Sequence, residues 1–63
     1  VKTSDRIRES RELLKLTKRE LAKRIGVHES SISKYEKGLV DLPLSKITEL
    51  SRVLKVSESY LMG

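Results

Sequence analysis

Cysteine is absent from the chain, which removes disulfide staples, thiolate nucleophiles and thiolate metal sites and fits a reducing, cytoplasmic setting. Phenylalanine and tryptophan are also missing, and Tyr35 and Tyr60 are the only aromatic residues, so a core has to be built from Leu, Ile and Val. No apolar stretch reaches the ~7–15 residues of a signal-peptide core or the ~20 of a membrane span. His28 is the only histidine and the carboxylates are scattered, which leaves no ligand set for a metal. No carboxylate pair, Ser/His/Asp set or glycine-rich phosphate loop stands at useful spacing, so an enzyme is not expected, nor a cofactor or a small-molecule ligand.

What is present is short and basic. Sixty-three residues suffice for one domain with a modest core, too small for an enclosed active site. The net charge is +5, and it is unevenly spread: residues 1–26 hold nine Lys/Arg against four Asp/Glu, residues 27–63 five against five. A basic half facing a neutral half suits a polyanion surface, because phosphate neutralisation and counterion release supply most non-specific affinity. The chain starts at Val1 without a methionine and ends at Gly63, which fits processing, trimming or a domain cut from a longer protein, and residues 1–63 are read as a single domain.

The breakers divide the chain into five short helical segments, an all-α bundle. The first is expected from an N-cap at Ser4 or Asp5 to Lys15, with Ile7, Arg11 and Leu14 on one face. Thr17 opens the second with Glu20 three residues on, a capping box, and Leu21, Ala22 and Ile25 form its inner stripe. Gly26 stops it, accompanied by Val27. The third runs from His28 or Glu29 to Lys37, with Ile32 and Tyr35 inward and Glu29, Ser30, Ser33 and Lys34 outward, until Gly38. Leu39–Leu42 form a loop. Pro43 suits the start of a fourth helix with Leu44, Ile47, Leu50 and Leu54 on one stripe, and Ser57 caps a last turn ending at Leu61.

Residues 18–36 meet the steric demands of a helix-turn-helix. Ala22, four residues before Gly26, is small where two helices cross closely; Gly26 relieves the turn; Leu21, Ile25, Ile32 and Tyr35 fix the angle. The register of all these residues together carries the signal, since any one of them alone is structural filler.

Here the chain resembles a known family, the lambda-repressor-like, or XRE-type, helix-turn-helix domains of phage repressors and bacterial regulators. The resemblance lies in Arg6-Ile7-Arg8, Leu16-Thr17-Lys18-Arg19-Glu20-Leu21-Ala22, Ile25-Gly26-Val27, Ile32-Ser33-Lys34-Tyr35-Glu36-Lys37-Gly38, Leu54-Lys55-Val56-Ser57 and the closing Ser59-Tyr60-Leu61-Met62-Gly63. It implies a repressor binding a palindromic double-stranded DNA operator as a homodimer. It further implies base contacts from Glu29, Ser30 and Lys34, the first, second and sixth residues of the recognition helix. Glu29 also has a purely structural reading, because a first-turn carboxylate favours the helix dipole. Phosphate contacts are implied for Lys18, Arg19, His28, Ser33 and Lys37, with Arg19 and Lys23 equally readable as solvated surface. Arg11 and Glu36 match a structural ion pair between the first and third helices.

Two departures from the family's pattern stand out. His28 replaces the usual Ser or Thr cap and can cap, meet a phosphate or lie exposed. Asp41 and the apolar Leu39, Val40 and Leu42 occupy a loop where many relatives place basic residues; the apolar side chains either pack on the core or face a second subunit, for which the Tyr60–Met62 end is a further exposed apolar candidate. An interaction module, an antitoxin or antirepressor partner, is the competing class of function, and steep salt dependence separates DNA binding from it.

Overall fold

The computed structural model describes residues 2–63. Five α-helices follow in order: α1 Thr3–Leu13, α2 Lys18–Ile25, α3 Glu29–Lys37, α4 Leu44–Leu54 and α5 Glu58–Met62, with no strand among the described residues. One aliphatic core joins them, with Ile7 of α1, Leu21 of α2, Ile32 of α3, Leu50 of α4 and Leu61 of α5 fully buried, completed by Ala22, Ile25, Ile47 and Leu54. Each helix gives at least one side chain to the same centre, the arrangement that lets so short a chain fold around a single core.

Helix α2 has chemically explicit ends. Thr17 accepts the Glu20 amide at 3.0 Å and the Glu20 carboxylate accepts the Thr17 amide at 2.8 Å, a complete capping box. At the other end Gly26 takes φ 73°, and the Gly26 and Val27 amides both return to the Ala22 carbonyl, the latter at 2.9 Å. Val27 packs against the core beside this stop.

Helix α1 departs from the expected boundaries at both ends. It starts at Thr3 after Lys2, which supplies no side-chain cap, and Ser4 is buried instead of capping. Its neighbour is the end of α3: a Cβ placed on Gly38 would lie 3.5 Å from Ser4 Oγ. The helix stops at Leu13, two residues early, because Lys15 adopts the left-handed conformation at φ 57° and the Leu16 amide turns back to the Arg11 carbonyl at 3.1 Å. Leu14 is thereby carried off the core face and is exposed. Leu44 is also exposed, at the first position of α4 beyond the edge of the core, while Leu42 packs on the core before Pro43. At the other end of the chain Leu61 is fully buried, leaving Tyr60 and Met62 as the exposed pair.

The last helix is held by polar contacts as well as by Leu61. Ser57 caps it by accepting the Tyr60 amide at 3.0 Å, and Thr48 of α4 donates a hydroxyl to the Glu58 carboxylate. Arg6 of α1 reaches the Tyr60 carbonyl and lies over the Tyr60 ring at 4.6 Å from its centroid. These ties fix α5 against both α1 and α4.

Candidate nucleic-acid interface

Helix α3 is held from beneath and bare on top. Ile32 is fully buried and Tyr35 half-buried against the core, which orients the opposite side of the helix, with Glu29, Ser30 and Lys34, into solvent. Ser33 lies at the flank, half-buried. The exposed face therefore carries a carboxylate and a hydroxyl at its N-terminal turn and an ammonium one turn on.

A buried ion pair fixes where this helix sits. Arg11 of α1 grips Glu36 with both arms of its fork, Nε donating to Oε2 at 2.7 Å and Nη2 to Oε1 at 3.2 Å, while Nη1 donates to the Leu16 carbonyl at 2.7 Å. The two side chains are only 11% and 4% exposed, so the pair is shielded from water and salt. The hydrogen bond to Glu36 pushes the Arg11 guanidinium above its ordinary range, against the opposing effect of burial. One arginine thus joins α1, the α1–α2 turn and α3.

The start of α3 is capped by an imidazole. His28 has extended backbone at φ −78° and its Nδ1 accepts the Ser30 amide at 3.1 Å. Ser30 Oγ lies 2.9 Å from the same nitrogen. Capping does not consume the ring, which is exposed and lines, with Arg19, Lys23, Val27 and Glu29, an open hollow over Ala22 between α2 and α3. The hollow brings basic side chains of α2 beside the N-terminal turn of α3, where the helix dipole favours an anion.

The remaining basic candidates lie at the periphery. Lys18 is the half-buried first residue of α2, Arg19 beside it is exposed, and Lys37 is exposed at the end of α3 before Gly38. Among the described residues no group of His, Asp or Glu is placed to hold a metal ion, and no helix is long and apolar enough to cross a membrane. The link between His28 and Ser30 was not legible in advance, although its signal, an imidazole at the cap with a hydroxyl two residues on, stands in the sequence.

The helix-turn-helix family model matches residues 7–61. The chain belongs to the helix-turn-helix family, in its XRE or repressor-like branch. It is 40% identical over 58 residues to an uncharacterized HTH-type transcriptional regulator, YobD, of Bacillus subtilis, a match covering 92% of this chain and 52% of that protein. The chain thus spans about half the length of this curated relative. Among solved structures it superposes on the P22 c2 repressor bound to a synthetic operator with a TM-score of 0.93 at 31% identity, covering 98% of this chain and 94% of that one. On the biofilm regulator SinR of Bacillus subtilis, in complex with DNA, the TM-score is 0.85 at 32% identity, with 94% and 95% covered.

Proposed function

We propose that the chain is the operator-reading domain of a transcriptional repressor, acting in the cytoplasm as the N-terminal part of a longer protein. The carrying observation is the exposed polar face of α3, Glu29, Ser30 and Lys34, on a helix pinned from behind by Ile32 and by the Arg11–Glu36 pair. The operator-bound P22 relative supports the same use of the fold. An α-helix of this kind fits the major groove of B-DNA, where each base pair presents its own pattern of donors and acceptors.

In this reading Lys34 donates to guanine O6 and N7, Glu29 accepts from cytosine N4, and Ser30 meets a base edge between them, each good pairing contributing ~1–3 kcal/mol of discrimination. Lys18, Arg19, His28, Ser33 and Lys37 hold phosphates on either side, positioning the helix without reading sequence. One domain reads too few bases to find a unique site, so two copies bind a palindrome whose half-sites lie roughly 34 Å apart on one face of the duplex.

The test is selection of random duplexes on the purified chain, with Lys34→Ala and Ser30→Ala run in parallel and the affinity followed against salt. A palindromic motif that each variant relaxes at its own position, with steep loss of affinity as salt rises, is the expected result. Binding that ignores sequence and salt contradicts it and favours the protein-interaction reading.

A further inference from the structure

The contact between His28 and Ser30 carries more than a cap. His28 Nδ1 accepts the Ser30 amide at 3.1 Å, and a ring nitrogen that accepts an amide proton bears none of its own. The neutral imidazole therefore keeps its proton on Nε2. At the second contact, 2.9 Å between Nδ1 and Ser30 Oγ, the hydroxyl has to be the donor. Its hydrogen is turned toward His28, and only oxygen lone pairs are left for a group approaching from outside. Rotating the hydroxyl to donate outward would set an oxygen lone pair against a nitrogen lone pair at the same 2.9 Å.

We propose that His28 sets the polarity of base readout at Ser30, making the hydroxyl an acceptor that selects adenine or cytosine, through N6 or N4, over guanine or thymine. The proposal rests on the reading of α3 as the DNA-reading helix. A serine free to rotate donates or accepts and discriminates little; one whose proton is held elsewhere discriminates between bases that offer an amino donor and bases that offer oxygen. Glu29, the preceding residue, is likewise an acceptor when ionised, so the first turn of α3 presents two acceptors in succession. Lys34, which only donates, follows one turn on. The same arrangement leaves the exposed ring its Nε2–H as a donor for a phosphate oxygen, so one ring caps the helix, orients Ser30 and is free to touch the DNA backbone. His28 is a positioning residue in this scheme, and Ser30 touches the base.

The experiment uses the 63-residue chain in duplex selection with Ser30→Ala, His28→Gly and His28→Asn, each checked for helix content and thermal unfolding. Glycine is well tolerated at a helix cap and leaves the hydroxyl unheld. Asparagine restores an oxygen that accepts both amide and hydroxyl. The wild type is expected to favour A or C over G or T about fivefold or more at one position. Ser30→Ala loses the preference at that position alone, His28→Gly relaxes it to within about twofold, and His28→Asn keeps it. Full preference retained by His28→Gly, or a wild-type preference for G or T there, overturns the proposal. If Ser30→Ala changes nothing while Lys34→Ala still relaxes its own position, readout by α3 stands and this inference fails; if no variant alters any preference, both fail. A long-range proton–nitrogen correlation spectrum of free His28, recorded where the ring is neutral, gives an answer independent of DNA: a protonated Nε2 with a bare Nδ1 is expected, and the opposite tautomer overturns the inference.

Discussion

The two junctions that flank α3 use the same backbone device and put it to different ends. Gly26 and Gly38 both stop a helix in the left-handed region, at φ 73° and 70°, and in both cases the next amide reaches back five residues, Val27 to Ala22 at 2.9 Å and Leu39 to Lys34 at 3.0 Å. After Gly26 the following side chain packs on the core and the next residue, His28, caps α3. After Gly38 the following side chain, Leu39, is 68% exposed, Val40 is 43% exposed, and the chain continues to Pro43 before another helix begins. The backbone stop is common to both; what differs is whether the apolar residue after it finds the core. The first junction holds α2 and α3 at one angle. The second leaves an apolar surface at the far end of the proposed reading helix.

The largest effect expected lies in the ion pair that anchors α3, the helix between the two junctions. Arg11→Ala strands the buried Glu36 carboxylate beneath α3 and should lower unfolding free energy by about 3 kcal/mol, measured by chemical denaturation, before any specific loss of DNA affinity. Next come the glycines. Gly26→Ala and Gly38→Ala should each cost ~1 kcal/mol of backbone strain, because a new Cβ meets nothing within 4 Å at Gly26 and only an ordinary contact with Ser4 Oγ, at 3.5 Å, at Gly38. Near-equal losses fit a common backbone device; a much larger loss at Gly26 would mean that its turn carries more than conformation. Leu39→Ser with Val40→Ser should change stability by less than about 0.5 kcal/mol, since both side chains are exposed, yet weaken binding to a two-site operator relative to a single half-site if the second junction meets the partner copy.

The smallest effect is at the start of α2. Hydrogen bonds from the Thr17 backbone and side chain hold the Glu20 carboxyl below its ordinary range. Because the folded-state value is the lower one, this contribution is present above the unfolded-state value and fades as pH falls through the folded one. Glu20→Gln keeps an uncharged acceptor for the Thr17 amide, so the stability gap between wild type and variant should shrink in acid, followed by thermal unfolding at a series of pH values.

Where helix ends are written in side-chain chemistry, the sequence and the structure agree. The Thr17–Glu20 box, Gly26, Gly38 and the Ser57 cap delimit their helices as the residue types dictate. The ends of α1 carry no such signature: Lys2 precedes the helix without a side-chain bond, and Lys15 takes a left-handed conformation that the sequence would assign to glycine. Leu14 and Leu44 fit the helical period yet miss the core, because periodicity gives a direction around the axis and not the distance along it at which the core ends. In the candidate site, the outward direction of Glu29, Ser30 and Lys34 follows from the same period. The coupling of His28 to Ser30 does not, since it depends on which ring nitrogen faces the amide.

Whether the exposed face of α3 reads bases is decided by a cycle of two changes: affinity of wild type and Lys34→Ala for the selected operator and for one whose guanine opposite Lys34 is replaced. Wild type is expected to lose about 5- to 150-fold on base replacement and Lys34→Ala to bind both duplexes nearly equally, so that the two changes are not additive. Equal losses from base replacement in wild type and variant would contradict it, placing Lys34 on the backbone and the reading of sequence elsewhere.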